Sequence, residues 1–124
     1  MEPQGRSREE QYAWLKGIVD PASSLEKEFL DFLYEHGYRL PDTAQNRPEP
    51  SVPSQPDFYY ERGAAPGVCV FVDGAVHDEA GREDRDEKAR SALEDKGYRV
   101  VVIRFDQDLD QQVKSQPDVF GAFV

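Results

Sequence analysis

Apolar and polar positions alternate along this chain with two distinct periods, and the change of period marks out its elements. Residues 9–19 place Tyr12, Trp14, Leu15, Ile18 and Val19 at roughly helical spacing, which predicts a short helix ended by Asp20-Pro21. Trp14 on that stripe reads as a core residue. A second helix is expected from Ser23 or Ser24, because Ser23-Ser24-Leu25-Glu26 has the S-x-x-E spacing of a capping box. Leu25, Phe29, Phe32 and Leu33 share one face of it, widened by Leu30 and Tyr34. His36-Gly37 supplies a basic last turn and a left-handed glycine, so His36 reads as a helix-terminal residue.

The period then changes. Five of the nine prolines lie between Pro41 and Pro56, among Asp, Thr, Gln, Asn, Arg and Ser. The segment 41–56 is therefore expected to be a long loop or extended arm. Loops of that length in a compact domain are usually functional or poorly ordered. Residues 57–61 predict a strand rich in aromatics, 62–67 a turn, and 68–72 an unbroken apolar strand that calls for burial on both faces. Asp73-Gly74 ends that strand. Residues 79–96 predict a highly charged helix with Ala89, Ala92 and Leu93 as its narrow apolar stripe. Gly97 caps it, and 99–105 give a further buried strand. A strand, a helix and a strand in succession predict a right-handed crossover and a parallel pair. A last helix is expected over 108–114, stopped by Pro117. The order α-α-β-β-α-β-α makes this an α/β fold, with a mixed central sheet flanked by helices.

Composition narrows the function classes. With 124 residues, 38% hydrophobic and 32% charged, the chain suits one domain with a modest core and a wet surface. One cysteine, Cys69, leaves no internal disulfide and no structural zinc set; it sits in an apolar strand and reads as a small buried hydrophobe. A reduced, cytoplasmic setting is expected. No apolar run approaches membrane-span length, so no membrane partner is expected. The net charge of −10 argues against free-standing, non-specific nucleic-acid binding, which runs on phosphate neutralisation. The charge is least unbalanced over residues 56–105, with 8 basic and 11 acidic side chains.

That same stretch holds the candidate chemistry. Asp57 starts one strand and Asp73 ends the next, so an antiparallel hairpin would bring the two carboxylates together around one hard divalent cation. The backbone carbonyl of Val72 is a plausible further ligand. A magnesium-bound water is a ready nucleophile against a phosphodiester. His77, four residues past Asp73, has a side chain whose ordinary pKa suits general acid–base work. Each residue also has a plainer reading: Asp57 as a strand-start residue, Asp73-Gly74 as a tight turn, His77 as a surface histidine. Arg82, Arg85, Lys88 and Arg90 read either as a solvated helix face or as phosphate contacts. Replacing Asp57 by Ala is expected to leave folding intact, because it relieves crowded acids.

Pro56-Asp57-Phe58, then Cys69-Val70-Phe71-Val72-Asp73-Gly74, His77, and Arg85-Asp86 through Leu93 to Gly97-Tyr98-Arg99-Val100 form a combination of blocks. It resembles the very-short-patch-repair (Vsr) endonuclease group of the PD-(D/E)XK superfamily and its small endonuclease-like relatives. Glu26 and Gln45 resemble the helix glutamate and loop glutamine of that wider group. The ordering is also similar to the C-terminal domain of large bacterial DEAD/DEAH-type helicases, where a segment like residues 8–15 precedes such a domain. The resemblance spans roughly residues 23–105 and implies a restriction-endonuclease-like domain over 23–124, with a helical extension over 1–22. It implies a Mg²⁺- or Mn²⁺-dependent endodeoxyribonuclease, with Asp57 as principal metal ligand and Asp73 as second. It implies His77 as the catalytic histidine and Glu26 as a helix-borne carboxylate orienting water. Gln45, Arg82, Arg85 and Lys88 are then candidates for contact with DNA, and helicase domains are candidate partners. The chain departs from the pattern at Phe71, where many relatives keep a glutamate, and no lysine follows Asp73 at the superfamily's spacing. A non-cutting nuclease-like module, binding DNA or docking on a helicase, is the alternative.

Overall fold

A computed structural model of the chain describes residues 7–19, 24–52, 55–73 and 82–121, without the side chains of 73 and 82–86. The elements run α1 (Arg8–Ile18), α2 (Ser24–Glu35), β1 (Thr43–Ala44), β2 (Phe58–Arg62), β3 (Ala65–Asp73), α3 (Arg82–Asp95), β4 (Arg99–Arg104), α4 (Leu109–Lys114) and α5 (Pro117–Phe120). The strands form one mixed sheet in the order β1-β2-β3-β4. β1 with β2 and β2 with β3 are antiparallel, and β3 with β4 is the parallel pair that the crossover predicts.

Side chains alternate across this sheet, as the pleat requires. Phe58, Tyr60, Val68, Val70, Val101 and Ile103 join a core with Leu15 and Val19 of α1, Phe29, Leu30 and Leu33 of α2, Val113 of α4, and Phe120 of α5. Phe120 meets Phe29 and Tyr60 edge-on, the favoured geometry for such rings. Cys69 faces the other way, in a smaller cluster with Val52 and Leu93, flanked by Tyr59, Phe71, Ala92, Tyr98 and Val100. α3 closes that face through Leu93, with Ala92 beside it, while Glu87, Lys88, Ser91, Glu94 and Asp95 are exposed.

Helix ends follow the sequence signals where they are described. Ser7 and Glu10 close a reciprocal capping box on α1. The Ser23 box on α2 and the Asp20-Pro21 stop lie outside the described residues. Both α2 and α3 end in the same motif. Gly37 (φ 75°) and Gly97 (φ 98°) are left-handed, and the Tyr38 and Tyr98 N–H groups donate to the carbonyls of Leu33 and Leu93. His36 is exposed, with Nδ1 3.0 Å from the Phe32 carbonyl, at home on a helix end.

Three features differ from expectation. The turn expected over 62–67 shrinks to Gly63 and Ala64, and β3 begins at Ala65, running through Pro66 and Gly67. The Tyr59 hydroxyl accepts the Gly67 N–H at 2.9 Å, so a side chain completes the bonding there. Pro117 opens α5 instead of only stopping a helix, since its fixed φ suits a first helical position. The proline-rich segment contains a strand, β1, whose two residues pair with Tyr59 and Phe58.

α1 and α2 are joined by a polar cluster above the core. Asp31 accepts hydrogen bonds from the Tyr12 hydroxyl and, at 3.0 Å, from the Lys16 ammonium, while Tyr12 stacks on Tyr34 at 4.0 Å. Burial by itself pushes the Asp31 carboxyl up, but the hydrogen bonds from Tyr12 and Lys16 outweigh it and hold it below its ordinary value. A depressed carboxyl stabilises the fold above its unfolded pKa of about 3.9 and loses that contribution as pH falls through its lower folded pKa. Asp31→Asn is therefore expected to lower the urea midpoint at pH 7, by the few tenths to one kcal/mol typical of such exposed pairs. The gap to wild type should narrow as the pH falls below the unfolded value of about 3.9 and close once the folded carboxyl is protonated as well. A gap that persisted in acid would assign the effect to packing.

Gly67 sets a sharper constraint, because a Cβ there would sit 2.2 Å from the Tyr60 carbonyl oxygen and 2.7 Å from the Tyr59 hydroxyl. Gly67→Ala is expected to cost about 2 kcal/mol or more in urea unfolding, by forcing β2 and β3 apart. An unchanged midpoint would show that the strands yield.

Candidate functional site

The topology brings the singled-out residues to one end of the sheet. β3 and β4 run parallel, so their C-terminal ends, Asp73 and Arg104, lie side by side in register. β2 runs the other way, so Asp57, just before its first residue, lies beside the end of β3. β1 is antiparallel again, so Gln45, just after its last residue, lies beside Asp57. The first turn of α2 delivers Glu26 to the same place.

Backbone bonds hold these residues firmly. The Asp57 N–H donates to the Val70 carbonyl at 3.0 Å, and the Asp57 carbonyl accepts the Gln45 N–H at 3.1 Å. The Asp57 carboxylate turns onto the end of β3, where its Oδ2 accepts the Val72 N–H at 2.7 Å. Asp57 and the Val72 backbone are thus brought together, as the hairpin expectation requires. Asp73 ends β3, and its carboxylate, whose approach to Asp57 was expected, lies outside the described residues together with all of His77.

Glu26 is the one buried charged residue among those described, only 7% exposed. Burying a carboxylate is costly unless hydrogen bonds replace its water. Gln45 supplies one, its Nε2 donating to Glu26 Oε1 at 2.8 Å. Gln55 in turn donates its Nε2 to Gln45 Oε1, also at 2.8 Å. Gln45 has a φ of 52°, unusual for a residue with a side chain. Its amide, a candidate for nucleic-acid contact, bonds to Glu26 and Gln55.

Of the other expected DNA contacts, Lys88 is exposed on α3. Arg82 and Arg85 belong to the first turns of the same helix, with their side chains outside the description. Gln55 has no expected role, and Arg90 is expected either on a solvated helix face or at a phosphate. Arg90 is half-buried, its guanidinium 4.9 Å from the centre of the Phe71 ring. Phe71 therefore supports α3 through a cation–π contact. Cys69 is fully buried, and burial pushes its thiol up to about 12, which suits a packing residue and not a nucleophile.

The donors gathered here are of one kind. Asp57, Glu26 and the Val72 carbonyl offer hard oxygens, the set that magnesium or manganese takes, and magnesium needs only one or two carboxylates beside its waters. In donor chemistry the residues fit. Among the described residues no group of three or more His, Cys, Asp or Glu is gathered for a metal. No protein-family model matches this chain, and neither a curated protein nor a solved structure matches it. Among the described residues no helix is long and apolar enough to cross a membrane.

The Val72 bond revises the expectation that Asp57 is dispensable for folding. Asp57→Ala leaves a part-buried N–H without that acceptor and is expected to cost about 1 kcal/mol in urea unfolding. Asp57→Asn keeps a carbonyl oxygen for Val72 and should retain most of that stability. If both variants unfolded at the wild-type midpoint, the bond would have no structural weight.

Proposed function

We propose that this chain is a metal-dependent DNA endonuclease-like domain with a PD-(D/E)XK, Vsr-like core, hydrolysing phosphodiester bonds as a module of a repair, defence or helicase system. The observation that carries the reading is the linkage at the carboxyl end of the parallel strands, where Gln45 joins Glu26 to Asp57 and the Asp57 carboxylate meets the Val72 backbone. Ligand sites of open α/β sheets lie at that end.

Asp57 and Asp73, with the Val72 carbonyl, are the residues that would hold Mg²⁺ or Mn²⁺. Bound there, the ion supplies a Lewis acid for the phosphoryl oxygens and lowers the pKa of a coordinated water. Glu26, fixed by α2 and by Gln45, orients a water at the sheet end. His77 is placed by its distance from Asp73 in the chain to hold or deliver a proton. Lys88, Arg82 and Arg85 on α3 are candidate phosphate contacts. With a net charge of −10, the chain suits a partner that holds the DNA, such as helicase domains.

A second reading is a nuclease-like module that binds a DNA end or junction without cutting. Two observations favour it: Phe71 is committed to packing under Arg90, and an Asp57 oxygen is committed to the Val72 N–H.

The test is cleavage of plasmid and labelled oligonucleotides in Mg²⁺ or Mn²⁺ by wild type and Asp57→Asn. The hydrolytic reading expects cutting by wild type, loss with EDTA, and background activity in the variant. Equal cutting by both proteins identifies a contaminating nuclease and removes that reading. Metal-independent DNA binding without cutting selects the second.

A further inference from the structure

The residue that ties the proline-rich segment to the buried carboxylate is Gln45, and a second amide, Gln55, stands behind it. We propose that Gln55 and Gln45 form a directional amide chain that positions Glu26, so both are positioning residues and neither is a DNA contact. This rests on the nuclease reading above, which it deepens by naming what sets the orientation of the Glu26 carboxylate.

Three observations carry it. The two bonds are short and run one way: Gln55 Nε2 to Gln45 Oε1 at 2.8 Å, then Gln45 Nε2 to Glu26 Oε1 at 2.8 Å. A glutamine amide offers donors at one end and an acceptor at the other. An ionised carboxylate only accepts, so Gln45 must turn its NH₂ toward Glu26. Gln55 enforces that turn by occupying the oxygen. The backbone supports the same purpose. Gln45 holds a φ of 52° immediately after β1, a conformation tolerated when the surroundings over-determine it. Its N–H is anchored on the Asp57 carbonyl at 3.1 Å, so one residue joins Glu26 to the strand end that carries Asp57.

The position of Gln55 fits this role. It is exposed and sits one residue before the buried Pro56, itself next to Asp57. It buries little and supports no core. Its described side-chain bond goes to Gln45.

The chain predicts a distinctive set of variants. Gln45→Gly relieves the left-handed backbone, because glycine adopts positive φ freely, while removing the amide. The relieved backbone offsets part of the bond lost at Glu26, so the variant should unfold near the wild-type temperature yet cut more slowly. Supporting partners of this kind change activity by about 10- to 100-fold, and kcat should fall in that range. KM for an oligonucleotide should stay within about twofold, the signature of a group that acts in the transition state and not in uniform binding. Gln55→Ala should lower kcat in the same way. Gln55→Lys keeps a donor for Gln45 Oε1 and should restore it. Gln55→Glu presents only acceptors, turns the Gln45 amide around, and should be as slow as Gln55→Ala.

The experiment is steady-state cleavage in Mn²⁺ by these four variants, wild type and Asp57→Asn, with thermal unfolding of each. Slow but stable Gln45→Gly, with recovery in Gln55→Lys alone, supports the amide chain. Wild-type kcat in Gln55→Ala and Gln55→Glu, or a raised KM at unchanged kcat, overturns it while Asp57→Asn still reports on the nuclease reading. Absence of cutting by wild type overturns both.

Discussion

Everything in this fold depends on β3 being paired on both sides, antiparallel to β2 and parallel to β4. A strand in that position has no solvated edge, and its side chains must be apolar on both faces. Val68, Cys69 and Val70 meet that demand by being buried in succession. The two opposite pairings have a geometric consequence. They put the start of β2 and the ends of β3 and β4 at the same end of the sheet, so Asp57 comes beside the end of β3, where Asp73 and Arg104 are partners in register. At the opposite end, Gly67 lets the β2 backbone approach closely enough for the hairpin to close.

The two faces of the sheet are unequal, and that inequality determines which parts of the site are rigid. α2 is anchored in the larger core by Phe29, Leu30 and Leu33, all fully buried, so Glu26 at its first turn is carried by a fixed element. The smaller face is closed by α3 through Leu93 and by Val52, which reaches in from the proline-rich segment. Tyr98 adds a tie to the same segment, donating its hydroxyl to the Pro48 carbonyl at 3.1 Å. The segment that looked like an arm is thereby pinned at Val52 on one side and at Gln45 on the other. It closes the small core through Val52 and carries both Gln45 and Gln55.

Much of this was legible in the residues, and the illegible parts have physical reasons. The stripe of α2, the apolar run of β3, the crossover through α3 and the glycine caps were legible because each depends on local periodicity or a local φ requirement. β1 was not, since two residues have no period and their pairing is set by β2. The early start of β3 was hidden by Pro66 and Gly67, which read as a turn until the Tyr59 hydroxyl completes the bonding. The acids of the site were visible as acids at strand ends. What connects them was invisible, because a glutamine at φ 52° and a glutamine between prolines carry no local signature of their purpose.

The way these carboxylates are held bears on what they can hold. Gln45 on Glu26 and the Val72 N–H on Asp57 are neutral donors. A lysine or arginine in those places would fix the carboxylate equally well but would cancel the charge that attracts a divalent cation. An amide or a backbone N–H fixes the geometry and adds no charge of its own. The chain also uses charge to hold charge: Lys16 on Asp31, Arg39 on Asp42, Lys114 on Asp110, and Arg104 on Asp106 at the end of β4 itself. On the proposed reading, a neutral donor on an acid at the sheet end sets its geometry without adding a cation that would compete with a hard ion.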